Sequence, residues 1–79
     1  MNTSRIDIKN TAANISRLRI ENNLSVKDIQ EALGFNTPQA FYKWQRGETL
    51  PSIDNLVILA DIYGVGINQI VAVCKADDR

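Results

Sequence analysis

Along most of this chain, apolar residues recur at spacings of three and four. Ala12, Ile15 and Leu18 form the first stripe, and Val26, Ile29 and Leu33 the second. Ala40, Phe41 and Trp44 follow, then Ile53, Leu56, Leu59, Ala60 and Tyr63, then Ile67, Ile70 and Val71. That spacing is the signature of helices with one buried face. Cap residues punctuate the stripes. Thr11 is placed to cap a helix running through Asn23. Ser25, with Asp28 three residues on, has the form of a capping box, and Gly34 suits the left-handed residue that ends a helix. Thr37 before Pro38 predicts an N-cap followed by proline in the first helical position. Gly47 stops that helix near Arg46. Ser52 caps a fourth helix ended by Gly64, and Gly66 caps a short fifth. The pattern predicts an all-α domain of five short helices, with no convincing strand. Residues 1–10 read as a polar arm, 11–73 as the domain and 74–79 as a polar tail.

Composition narrows the chemistry. The 79 residues make one small domain, with 44% apolar and 23% charged residues, as in ordinary globular chains. A domain of this size leaves no room for a separate ligand-sensing unit. With no His and a single Cys, Cys74, the common zinc sites and His-based catalysis have no residues to work with. No enzyme, no metal and no cofactor is expected. A lone cysteine excludes an internal disulfide and points to the cytoplasm. The start of the chain lacks the apolar run of a signal peptide. No apolar run comes near the about 20 residues needed to span a membrane.

Net charge is zero, but its distribution is uneven. Residues 1–47 carry seven Lys/Arg against four Asp/Glu, and residues 48–79 carry two against five. The basic half contains TPQAFYKWQRG, residues 37–47, with the only Trp. At about 100° per residue, Ala40, Phe41 and Trp44 fall together on one face. Gln39, Tyr42, Lys43 and Arg46 fall opposite. The first set is core. The second can be an ordinary solvated face or a reader of DNA. Gln matches the donor and acceptor of adenine in the major groove, Lys favours guanine acceptors or phosphate, and Arg46 at the helix end suits phosphate. Tyr42 can donate a hydrogen bond or touch a thymine methyl. Two short helices joined by a tight Gly-containing turn of about three residues are the helix-turn-helix arrangement.

NISRLRIENNLSVKDIQEALGF followed by PQAFYKWQRGETLPSIDNLVILADIYGVGINQI resembles the Cro and λ-repressor family of helix-turn-helix domains, of the xenobiotic-response-element type. The resemblance covers about residues 14–70, and its most specific pieces are LRIENNLSVKDI, the YKW-x-RG ending, LPSIDNL and GVGINQI. It implies a compact five-helix domain whose third helix lies in the major groove. It implies Gln39 and Lys43 as base readers, with Tyr42 between them. Asn36 and Thr37 would meet the sugar-phosphate backbone, and Arg46 with the amide beside Gly47 would meet phosphate. The start of the second helix, Ser25 to Lys27, would offer amides and dipole to another phosphate.

The chain departs from its family in four places. Val26 replaces a frequent Gln after the second cap, so that phosphate contact is lost or passes to Lys27. Gln30 replaces a usual Ala and must bend outward or find a partner. The turn GFNTP is one residue longer than usual, which can shift the third helix. Gln45 stands where a Glu often pairs with the Arg matching Arg19. A neutral amide cannot compensate a buried guanidinium, so Arg19 is expected to be partly exposed or paired elsewhere, for instance with Glu21 or Glu48. Full burial in a salt bridge would contradict this. The function that follows is a sequence-specific regulator of double-stranded DNA, acting as a repressor by promoter occlusion. A homodimer on two half-sites is expected, with Val71, Val73 and Cys74 as candidates for its surface unless they pack on their own core. The alternative is a protein-interaction module such as an antitoxin that masks a toxin.

Overall fold

The structure is a computed structural model that describes residues 3–76. Strand β1 (Thr3–Ile6) leads into helices α1 (Ile8–Glu21), α2 (Val26–Leu33), α3 (Gln39–Gln45) and α4 (Ile53–Tyr63). A single helical turn, α5 (Ile67–Ile70), and strand β2 (Val73–Ala76) complete the described chain. The helix-turn-helix of α2 and α3 is present as expected, but the five-helix expectation is corrected. Four helices are joined by one turn of helix and a two-stranded sheet.

One core joins the helices. Ile15 and Leu18 of α1, Ile29 of α2, Phe41 and Trp44 of α3, Leu59, Ala60 and Tyr63 of α4, and Ile70 of α5 form a single buried cluster. Each stripe thus finds the others, and a domain this small has only this one layer to bury. Ile53 departs from its expected stripe and is 76% exposed. It is the first residue of α4, about two turns before the buried Ala60 on the same side, so it lies beyond the reach of the core. Among the described residues no helix is long and apolar enough to cross a membrane.

The ends of the chain differ most from expectation. β1 and β2 pair antiparallel, with Ile6 opposite Val73 and Arg5 opposite Cys74. The supposed arm and the start of the supposed tail are therefore partners; residues 77–79 lie outside the described residues. The junction is built by Asp7, Thr11 and Asn14, on one stripe at the start of α1. Asp7, not Thr11, caps α1, accepting from the Asn10 amide at 3.1 Å. The Asp7 amide donates to the Ala72 carbonyl at 2.8 Å. One turn on, Thr11 is fully buried, and its Oγ1 accepts from the Ala72 amide at 2.9 Å. Asn14 Nδ2 donates to the Ile70 carbonyl at 3.0 Å. Positions 7, 11 and 14 share a helix face, so one stripe meets the Ile70 carbonyl and both backbone groups of Ala72 and aims the chain back along β1. Thr11 is inside the helix because it serves this bond, and Asp7 takes the cap as an at least equally good capping residue already fixed by Ala72.

The remaining helix ends follow the sequence. Ser25 and Asp28 form a reciprocal capping box, and Ser52 Oγ accepts from the Asn55 amide at 3.2 Å. Gly34 and Gly64 adopt φ of 75° and 68°, the left-handed conformation that costs glycine little. α1 ends at Glu21, two residues before its expected end, where Asn23 turns left-handed with φ 56°.

Tyr63 ties α4 to α1, its hydroxyl donating to the Ile15 carbonyl at 3.0 Å. Burial, opposed only slightly by the positive charge of Arg19, pushes its pKa up to about 12. Tyr63→Phe should cost about 1 kcal/mol at neutral pH, measured by urea unfolding. The unfolded phenol ionises near pH 10, before the folded one. The stability Tyr63 supplies is therefore complete below pH 10 and lost as pH rises toward 12. Over that window the gap between the native chain and Tyr63→Phe should shrink and then invert; a constant gap would contradict the assignment.

Candidate nucleic-acid interface

The turn between α2 and α3 sets the angle of the candidate reading helix. Gly34 ends α2, and the Phe35 amide donates to the Gln30 carbonyl at 3.0 Å while the Gly34 amide donates to Glu31 at 3.1 Å. This is the paired closure of a Schellman motif. The Gln30 side chain adds to it, Nε2 donating to the Phe35 carbonyl at 3.2 Å. Gln30 thus finds its partner in the longer turn itself. α3 begins at Gln39, with Pro38 in the cap position and no side-chain cap. The expected Thr37 cap is not made. Pro38 instead presents its carbonyl to the Tyr42 amide at 3.1 Å, and residues 36–38 form a bend. Asn36 and Thr37 are left exposed beside the start of α3.

Trp44 determines how α3 is rotated. It is buried between two rings, Phe35 with centroids 5.8 Å apart and Phe41 at 6.0 Å, both edge to face. Phe41 has no exposure at all. Aromatic pairs in this geometry add roughly 0.5–1.5 kcal/mol beyond the area they bury. With that face held, Gln39, Tyr42, Lys43 and Arg46 are all exposed, and Tyr42 stands on the outer side as expected. On the inner flank, Gln45 Oε1 accepts from Ser16 Oγ at 3.3 Å, joining α3 to α1.

Arg19 behaves as the missing Glu requires. It is half-buried, and Nη1 donates to the Leu24 carbonyl at 2.9 Å. It makes no ion pair among the described residues: Glu21 pairs with Arg17 at 3.1 Å, and Glu48 pairs with Arg46. Its Nε is buried without a partner. The guanidinium is therefore held by backbone instead of a carboxylate.

The start of α2 is partly occupied. The Ser25 hydroxyl accepts from the Asp28 amide at 3.0 Å, and the Asp28 carboxylate accepts from the Ser25 amide at 2.9 Å. The Ser25 amide first, and its hydroxyl second, hold the Asp28 carboxyl below its ordinary pKa. Lys27 is exposed next to Ser25. At the far end of α3, Gly47 turns left-handed with φ 73°. Its amide donates to Trp44 at 3.1 Å, and the Glu48 amide donates to Lys43 at 2.9 Å. Arg46 and Glu48 form an exposed ion pair that raises the pKa of the arginine and lowers that of the glutamate.

The Helix-turn-helix family matches over residues 15–70. The chain belongs to the helix-turn-helix family. The match covers all four helices from the middle of α1 onward. No curated protein matches at a significant level. Two solved structures are similar. The DNA-binding domain of BldD has a TM-score of 0.68 and 23% identity, over 82% of this chain and 93% of that one. The hypothetical transcription factor NHTF from Neisseria has a TM-score of 0.69 and 18% identity, over 84% and 76%. At those identities the likeness is one of fold. This helix-turn-helix is of the xenobiotic-response-element type, whose members are DNA-binding transcription regulators.

Within this member of the family, Phe35 and Glu48 are the site residues that sequence reasoning passed over. Each follows a helix-ending glycine, where a Schellman closure brings it back over the last turn; that position was the available signal. Phe35→Ala should destabilise the domain by about 2–4 kcal/mol, since it removes one of the two rings holding Trp44. Gln30→Ala should cost about 1 kcal/mol. Chemical unfolding checks both, and a Phe35→Ala loss below that of Gln30→Ala would mean Phe41 alone sets α3.

Proposed function

We propose that this protein is a sequence-specific, double-stranded-DNA-binding transcriptional regulator that represses by occluding a promoter. The observation that carries the reading is the division of α3. Phe41 and Trp44 are buried while Gln39, Tyr42, Lys43 and Arg46 project from the other side. A helix whose rotation is locked by core packing presents its polar side chains in one orientation, which reading base edges demands. Gln39 and Lys43 read bases, and Tyr42 makes an apolar or hydrogen-bonding contact between them. Asn36, Thr37 and Arg46 hold the backbone on one side of the groove. The Ser25 hydroxyl and Lys27, at the start of α2, hold it on the other.

A single domain makes few phosphate contacts, so the protein acts as a homodimer on two half-sites about one helical turn apart. Val73 and Cys74, exposed on β2, remain available for that contact, whereas Val71 is half-buried against its own domain. The setting is the cytoplasm, and the reading involves no cofactor and no catalysis. A second reading, a protein-binding module such as an antitoxin, is favoured by one observation. Leu50, Ile53 and Val57 leave apolar surface exposed on and beside α4.

Salt separates the two readings. Fluorescence anisotropy against DNA fragments from around the gene should find one fragment bound at least about 10³-fold more tightly than random duplex. That affinity should fall steeply with salt as counterions are released. No preference for any fragment would sink the regulator reading. Gln39→Ala should cost about 1–3 kcal/mol and relax specificity at one base pair. Arg46→Ala should weaken all sequences alike and flatten the salt slope, by less than the about 1 of an uncompensated phosphate contact. Binding unaffected by both changes would mean this face is not the reader.

A further inference from the structure

We infer that Glu48 is an electrostatic governor of the DNA-reading face, positioned by the backbone to neutralise Arg46, a phosphate contact, and so limit sequence-independent binding. The inference rests on the regulator reading above and adds a residue to it.

The geometry begins with the three Schellman closures of this fold. In each, the residue after the glycine is folded back over the residue five positions before it, a place where an apolar contact usually forms. After α4 the pair is Val65 over Ala60, and after α2 it is Phe35 over Gln30. After α3 the pair is Glu48 over Lys43. An acid thus stands where the motif ordinarily carries a hydrophobe, opposite a cation of the reading face. The placement is set by main-chain bonds and by Gly47 in its left-handed conformation, independently of any side-chain rotamer. From there the Glu48 carboxylate also reaches Arg46 Nε. Both cations act on it in the same sense, Arg46 first and Lys43 less, holding it ionised.

The consequence follows from polyelectrolyte binding. A cation that meets phosphate releases a counterion, and each such contact adds about 0.9 to the slope of log affinity against log salt. A cation already compensated by a neighbouring carboxylate releases less, and the carboxylate itself is repelled by the phosphates. Glu48 therefore subtracts from the part of the affinity common to all sequences. It leaves base-edge recognition by Gln39 untouched. A lower non-specific affinity means fewer proteins held on the rest of the genome.

Glu48 is exposed, so its substitution should leave the fold intact, which circular dichroism checks. Glu48→Gln should bind the preferred fragment and a random-sequence duplex more tightly by the same factor, several-fold at low salt. Its salt slope should be steeper, by up to about 0.9, so the gain should shrink by up to about 3–4-fold between 50 and 200 mM salt. Glu48→Asp keeps the charge and should stay close to the native slope. Adding Glu48→Gln to Arg46→Gln should gain clearly less than adding it to the native chain. An unchanged affinity and slope in Glu48→Gln would overturn the inference. Weaker binding would also overturn it, showing that the acid orients Arg46 toward phosphate instead. If the native chain shows no salt-dependent binding to any duplex, the regulator reading fails with it; native binding with an indifferent Glu48→Gln fails this inference alone.

Discussion

Trp44 is the residue on which the arrangement of this domain turns. A two-turn helix has little rotational preference of its own, because nothing local distinguishes one exposed face from another. Burying the indole edge-to-face against Phe35 and Phe41 removes that freedom. Phe41 comes from the same helix and Phe35 from the turn before it, so a single contact ties the helix to its own approach. The polar residues opposite then have one direction to point. The Gln30 side chain and the left-handed Gly34 serve the same end from the other side of the turn.

A domain with one thin core has few apolar contacts to spare. Polar bonds complete its closure here. Tyr63 reaches the Ile15 carbonyl across the core, and Asp7, Thr11 and Asn14 together take up the Ile70 carbonyl and both backbone groups of Ala72. Such bonds are modest in net energy, but leaving the same groups buried and unpaired would cost about 1–3 kcal/mol each. They therefore specify where the two ends of the chain meet more than they add to stability. Exposed charge has a different character: Glu48 pairs with Arg46 at the surface, whereas Asp28 caps α2.

Much of this was legible in the chain. The capping box at Ser25 and Asp28, the cap at Ser52, and the glycine stops at Gly34, Gly47 and Gly64 are local chemistry, decided within four residues. The division of α3 into inward and outward faces is a matter of helical period. The missing Glu opposite Arg19 was legible too, since a guanidinium without a carboxylate had to turn elsewhere, and it turns to the Leu24 carbonyl. Thr11 and Thr37 were misread for one reason. A threonine before an apolar stripe has the form of a cap, but Asp7 and Pro38 hold those places once distant backbone or ring geometry intervenes.

The sequence by itself determined where the four helices lie, most of their glycine and serine stops and most of the face each one buries, because these depend on side-chain size, hydrogen-bonding capacity and a repeat of 3.6 residues. It also determined the family. Only the tertiary structure decided that the first and last described residues pair as a ribbon. Strands of four residues without an alternating pattern have no local signal, and they pair because α1 and the α5 turn bring them together. It likewise decided that Phe35 wedges Trp44, that Ile53 faces solvent, and that Glu48 folds back over Lys43. Those outcomes depend on which surfaces meet, and such meetings are settled by packing across the whole domain.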